Sequence, residues 1–300
     1  MWDCVIVGGG PAGLTAATYL GRFCRRVLVI DAGESRMKRI PLSRNAPGFP
    51  DGVSGAELHD RMLRQASGFG ASFKRGRVEA LRTSSDRFTV LADGAVESAR
   101  SVLLATGAQL TEPSVPDLDA ALHRGLIRYC PICDGFETRG RRIAVLGGRP
   151  GALQEARFLR TFSDRVTYHW MAEASPGKTE RQEAELHGIK VADAPVMSVD
   201  IDVRVRIRLT NGQSESFDVL YPSLGCTPRS QLAQSLHARV SSEGGIEVDA
   251  HQRTSVRGLY AAGDVLQGLD QIASACGQAA TAATDLHNAL READEAMALN

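Results

Sequence analysis

Apolar residues recur along the chain in two forms, short unbroken runs that suit buried strands and 3.6-period stretches that suit helices. The first run, Val5-Ile6-Val7, meets a glycine-rich turn, a helix expected over 14–21 and a second run over 26–31. The alternation then stops. Residues 43–50, Ser-Arg-Asn-Ala-Pro-Gly-Phe-Pro, are too irregular for an element, and a long loop in a compact domain is usually functional. A helix capped by Ser54 is expected next. β-like runs follow at 72–77, 87–91 and 96–100, then a buried strand ending in a tight turn at 102–107.

From residue 142 the opening pattern repeats as an apolar run, a Gly-Gly turn, a helix to about 162 and a strand over 164–170. This internal echo signals a duplicated nucleotide-binding fold. Asn211-Gly212 marks a turn between strands at 203–209 and 215–219. A strand and Gly-Asp turn at 258–265 lead to a helix over 271–290, whose small residues allow close approach of backbone to a ligand.

The first turn carries chemistry. Gly8, Gly10 and Gly13, around Pro11 and Ala12, make G-x-G-x-x-G between strand and helix, and Asp31 falls 23 positions after Gly8, at the tip of the second strand. An acid there can hold an adenosine ribose, while the glycines and helix N-terminus admit a pyrophosphate. In the echoed turn the second glycine is Arg149, followed by Pro150, and a long side chain there would crowd a dinucleotide.

Cys130-Pro131-Ile132-Cys133-Asp134-Gly135-Phe136 places two thiols in C-x-x-C spacing. Such thiols can close a small, reachable disulfide ring. A zinc site would need a second ligand pair, but Cys226 and Cys276 stand alone and His123, His169 and His187 form no spaced pair. No metal is expected. Asp134 suits either a helix cap or a proton donor to a leaving thiolate.

Composition narrows the classes. Three hundred residues with 43% hydrophobic content suffice for two cores. Basic and acidic residues both number 35, which argues against nucleic acid or an anionic membrane as partner. No apolar run approaches the roughly 20 residues of a membrane span. One close cysteine pair among six cysteines fits a reducing cytoplasm.

Gly-Gly-Gly-Pro-Ala-Gly at 8–13, Ala105-Thr106-Gly107, C-P-I-C-D-G-F and Ala261-Ala262-Gly263-Asp264-Val265 occur together in this order. Over nearly its whole length the chain resembles the low-molecular-weight thioredoxin reductases. The resemblance implies an α/β fold of two Rossmann-like, three-layer ββα-type nucleotide-binding domains, the second inserted in the first. Its boundaries would be about 1–115 with 246–300 for an FAD domain, and 116–245 for the inserted domain. It implies FAD held by Gly8, Gly10, Pro11, Ala12, Gly13, Asp31, Asn45, Ala105, Thr106, Gly107, Gly263, Asp264, Gln271 and Ile272. Cys133 would be the flavin-side thiol, Cys130 the interchange thiol and Asp134 the acid–base group. The implied partner is a thioredoxin-like protein, and the implied assembly a homodimer.

The chain departs from that family where NADPH would bind. The His-Arg-Arg run that grips the 2′-phosphate corresponds to Trp170-Met171-Ala172, which removes charge-assisted bonds of roughly 1.5–3 kcal/mol each. Arg157, Arg160 and Arg165 read as a solvated helix face rather than a replacement grip. NADPH binding is expected to be weak or lost, as in the ferredoxin-dependent flavin thioredoxin reductases and the deeply rooted thioredoxin reductases, with ferredoxin an alternative donor. Two rival readings remain. One is a dithiol oxidase passing electrons to oxygen, although those resemble a C-x-x-C-H pattern where this chain has Asp134. The other is a non-enzymatic flavin and thiol redox sensor.

Overall fold

The computed structural model describes residues 1–84, 87–148 and 151–298. Strand β1 (Trp2–Val7) leads into helix α1 (Pro11–Arg22) and strand β2 (Val27–Asp31). Helix α1 begins three residues ahead of the expected start. Pro11 fits its first turn, where a missing N–H costs nothing. A 3-10 turn (Arg36–Arg39) lies in the irregular loop that follows.

Helix α2 (Gly55–Gly68) opens on Ser54, whose Oγ accepts a hydrogen bond from the Glu57 N–H at 3.2 Å. Changing Ser54 to Ala is expected to cost about 1 kcal/mol. Urea unfolding checks this, and an unmoved midpoint would show the cap to be idle.

Strands β3 (Ser72–Arg75), β4 (Val78–Thr83), β5 (Phe88–Ala92) and β6 (Ala95–Leu104) follow. The two strands expected around 96–107 are one. Its polar first half pairs antiparallel with β5, and its apolar second half lies parallel to β1.

After β7 (Ala108–Leu110) come α3 (Leu118–His123) and the four-residue α4 (Pro131–Asp134), continued by a 3-10 turn at Gly135–Thr138. The echoed unit is β8 (Ile143–Gly147), α5 (Ala152–Leu159) and β9 (Val166–Trp170), followed by α6 (Lys178–Leu186) and β10 (Lys190–Val191). An antiparallel meander joins β11 (Val196–Ile201), β12 (Val205–Leu209) and β13 (Ser214–Phe217), with Gly212 at φ +86° in the turn. The run expected at 215–219 is divided, because Val219 opens a separate parallel strand, β14 (Val219–Ser223). The chain ends with β15 (Cys226–Pro228), α7 (Gln231–Ser235), β16 (Leu259–Ala261) and α8 (Ile272–Ala298), the last running past the expected end near 290.

Two sheets organise these elements, a mixed one whose β5 and β4 run antiparallel and a smaller, all-parallel one. The larger has the order β3-β2-β1-β6-β5-β4 with β16 also on β6, and the smaller β10-β9-β8-β14. The antiparallel ribbon β7–β15 carries the chain out of the first unit and back. Ala233 and Ala238, on and just after α7, lie in the core beneath the first sheet. Helices α1 and α8 pack on the other face through Ala16, Ala17, Ala279, Ala282 and Ala283, whose small side chains let the two backbones approach. Among the described residues no helix is long and apolar enough to cross a membrane. The carboxyl ends of β1, β6 and β16 open on one side of the first sheet, where α/β folds place their ligands.

Candidate active site

A cavity of about 1140 Å³ runs from the ends of β1 and β2 to the C-x-x-C. At one end the turn after β1 is shaped by its glycines. Gly8 has φ +107°, and a Cβ there would fall 2.3 Å from the Ala105 carbonyl oxygen. A Cβ on Gly10 would meet only Ser35 Oγ, at 3.5 Å, so this side of the turn faces open cavity. The Gly9 N–H donates to Asp31 Oδ1 at 3.0 Å, which fixes the acid over the turn. The buried His59 has Nε2 3.0 Å from the Gly9 carbonyl oxygen and braces the turn from behind.

Every other site residue expected from sequence lines this cavity; Gly13 alone among them does not. It lies beneath the turn, where a Cβ would come 1.9 Å from Gly8 O, so it sets how closely helix meets strand. The Thr106 hydroxyl donates to Arg229 O at 2.7 Å, which ties the 105–107 turn to the segment after β15. Gly263, at φ +83°, receives support through its N–H donating to Gln278 Oε1 at 2.8 Å. The space, the open turn and the single acid at its tip fit FAD. Gly8, Gly10 and the start of α1 would hold its diphosphate, and Asp31 its ribose.

Asp264 meets a cation that sequence reading missed. The Arg36 guanidinium lies 2.6 Å from Asp264 and 3.6 Å from Asp270. Burial raises the Asp264 carboxyl despite Arg36, and burial together with the Asp264 charge pushes Asp270 up to about 6. No motif marks Arg36, which sits in the irregular loop.

The other end of the cavity is built around sulfur. Cys130 and Cys133 form a disulfide with Cα atoms 5.2 Å apart. Gln271 Nε2 donates toward both sulfurs, at 3.3 Å to Cys130 Sγ and 3.4 Å to Cys133 Sγ. Its Oε1 accepts from Asn45 Nδ2 at 3.0 Å. Asn45, Gln271 and the disulfide, drawn from three distant stretches, thus form one contiguous wall. The Cys133 N–H donates to Cys130 Sγ at 3.1 Å, a bond that favours charge on that sulfur once the disulfide opens.

Asp134 makes no cap hydrogen bond to the turn it precedes. Its Oδ1 accepts from the Tyr221 hydroxyl at 2.8 Å, and Oδ2 pairs with Arg128 at 3.1 Å. Burial raises its pKa, and Arg128 and Tyr221 oppose that rise without cancelling it. A carboxyl poised upward beside a disulfide can exchange protons with sulfur.

The second nucleotide fold is built differently. Arg149 and Pro150 lie outside the described residues. A Cβ on Gly147 would fall 2.2 Å from the Tyr168 hydroxyl, and one on Gly148 2.7 Å from Leu224. Trp170 ends β9, beside Gly147, and its indole N–H donates to Ala192 O at 3.1 Å. Arg157 pairs with Glu183 at 2.6 Å, Arg160 donates to the carbonyls of His187 and Ser163, and Arg165 to that of Gly140. These three arginines are thus engaged within their own unit. Among the described residues no group of three or more His, Cys, Asp or Glu could hold a metal ion.

Residues 2–279 match the family described as pyridine nucleotide-disulphide oxidoreductase. A thioredoxin reductase of Streptomyces coelicolor is 35% identical over 299 residues, which cover 94% of this chain and 92% of that one. The solved structure of HlmI superposes with a TM-score of 0.91 at 28% identity, over 99% of this chain and 95% of that one. Thioredoxin reductase from Streptococcus pyogenes gives a TM-score of 0.89 at 31% identity, over 97% and 99%.

Proposed function

The chain belongs to the pyridine nucleotide-disulphide oxidoreductases, as an enzyme of the low-molecular-weight thioredoxin reductase type, and from that premise we propose that it passes electrons from FAD through Cys130 and Cys133 to a thioredoxin-like protein disulfide, with little or no use of NADPH. The observation that carries the reading is Gln271, whose amide touches both sulfurs while its carbonyl holds Asn45 in the wall of the FAD-sized cavity. Such a wall keeps the disulfide against whatever fills the cavity.

Bound FAD supplies an electron pair to open the disulfide. Asn45, Asp264, Gln271, Ile272 and the turns at 105–107 and 263, which line the cavity, would hold it beside the disulfide. The Cys130 thiolate then attacks one sulfur of the partner's disulfide. A Cys130–partner S–S bond forms as the partner's own bond breaks, and Asp134 protonates the leaving sulfur. The Cys133 thiolate next attacks Cys130 Sγ, which restores the disulfide and releases the partner's second sulfur as a thiolate. The working form proposed with this reading is a homodimer.

Three features support the loss of NADPH. Tyr168 fills the space beside the second turn, Met171 and Ala172 carry no charge where a 2′-phosphate would need one, and the nearby arginines are held elsewhere. Two equivalents of a one-electron protein donor, such as reduced ferredoxin, take its place, one electron each. Rapid mixing of the flavoprotein with NADPH, NADH or reduced ferredoxin is expected to bleach the flavin quickly with ferredoxin alone. Fast bleaching by NADPH would overturn this part of the reading. For the rest, the flavin is photoreduced without oxygen and thioredoxin is added, and new thiols on thioredoxin are the expected result. Oxygen uptake on adding a small dithiol, with no thiols on thioredoxin, would assign the opposite flow.

A further inference from the structure

Tyr221 occupies a position that chemistry alone does not favour. It is fully buried in β14, within an apolar run, and a buried hydroxyl without an acceptor is costly. Its acceptor is Asp134 Oδ1 at 2.8 Å. The segment ahead of the C-x-x-C is tied to the same strand, because Ile127 bridges Leu220 and the Arg128 N–H donates to Leu220 O at 2.9 Å. That register sets the Arg128 side chain beside Tyr221, with its guanidinium 3.1 Å from Asp134 Oδ2. Each carboxylate oxygen therefore has one donor, drawn from a different segment.

We propose that Arg128 and Tyr221 are positioning residues that orient Asp134 and govern when it carries a proton during dithiol–disulfide exchange. This rests on Asp134 being the acid–base group. Tyr221 holds one oxygen on a rigid strand, so the carboxyl, one residue after Cys133, keeps a single orientation. Arg128 stabilises the ionised form, so Asp134 gives up its proton readily and takes it back only when a thiol supplies one. The other groups around it are few. Glu137, in the following 3-10 turn, repels the carboxylate and is itself drawn to Arg44 at 3.4 Å. The Thr138 hydroxyl donates to Gly135 O. On α5, which packs on α4, Glu155 lines the cavity and Arg157 is paired with Glu183.

The direction follows from these contacts. Both donors favour the carboxylate, so removing either raises the pH at which Asp134 loses its proton. As the acid it works protonated, and its share of the rate falls above that pH. The experiment reduces the holoenzyme, mixes it with oxidised thioredoxin in a single turnover, and follows exchange from pH 5 to 10. Profiles are compared for the native protein, Asp134→Asn, Arg128→Met, Arg128→Lys and Tyr221→Phe. The limb that Asp134→Asn removes is expected to move up by roughly 1–3 pH units in Arg128→Met. A smaller move is expected in Tyr221→Phe, and near-native behaviour in Arg128→Lys. Slower exchange with an unmoved limb in both Arg128→Met and Tyr221→Phe would overturn the proposal and leave the acid–base reading intact. An unchanged profile in Asp134→Asn would instead overturn the acid–base reading. Tyr221→Phe conserves shape, so it remains readable if Arg128→Met folds poorly.

Discussion

Replacing Cys130 or Cys133 with serine is expected to reduce turnover by on the order of a thousandfold or more while leaving the yellow flavoprotein folded, because the nucleophile and its resolving partner act as a unit. The two variants should fail differently. In Cys133→Ser, Cys130 retains the sulfur that accepts the Cys133 backbone N–H at 3.1 Å, so it can still attack thioredoxin. Nothing then resolves the product. A mixed disulfide between Cys130 and thioredoxin should accumulate and appear as one covalent adduct by intact-mass measurement. Cys130→Ser should give no adduct. The half-exposed disulfide sits in the cavity wall, and Cys4, the fully buried cysteine, has its thiol pushed up to about 12 by burial. Substituting Cys4 is therefore expected to leave exchange unchanged. Normal turnover by both active-site variants would remove the disulfide from the reaction.

What could be read in advance was local. The turn from Gly8 to Gly13 announces itself because three glycines and a following strand tip lie within one strand–helix–strand unit, and the structure places Asp31 against the Gly9 N–H. Asn45 and Gln271 are 226 positions apart, yet they share a hydrogen bond. Neither has a local signal, and both were reached through the resemblance to a family. Arg36, Arg128 and Tyr221 were missed for the same physical reason. Each owes its role to a partner on another element, Asp264 for the first and Asp134 for the other two. A hint existed at Tyr221, a hydroxyl inside an apolar run, since such a group must find an acceptor when buried. The single strand at 95–104 was read as two because a change from polar to apolar pattern can mean a change of partner within one strand, as in β6.

The other large effect is expected at Gly13, and it separates fold from cofactor. An alanine Cβ at Gly13 would come 1.9 Å from Gly8 O and 3.3 Å from Ile6 Cγ2. Ile6 lies in β1, within the first sheet, and Gly8 directly follows it, so α1 must lift off the strand. Through Ala16 and Ala17, α1 also supports α8. The strain is of the overpacking kind, about 1–3 kcal/mol or more. Gly13→Ala should therefore melt earlier even without flavin, and its displaced turn should purify colourless. Gly10→Ala is the counterpart. Its Cβ meets nothing nearer than Ser35 Oγ at 3.5 Å, and Gly10 keeps an ordinary φ of −82°. The flavin-free protein should melt like the native one. Flavin affinity should still drop, by about tenfold for each 1.4 kcal/mol lost, because the methyl group projects into the space a diphosphate needs. Flavin-free melting curves and flavin titration distinguish the two. If Gly13→Ala retains both native melting and flavin, the turn is not the close-packed cradle that its geometry requires.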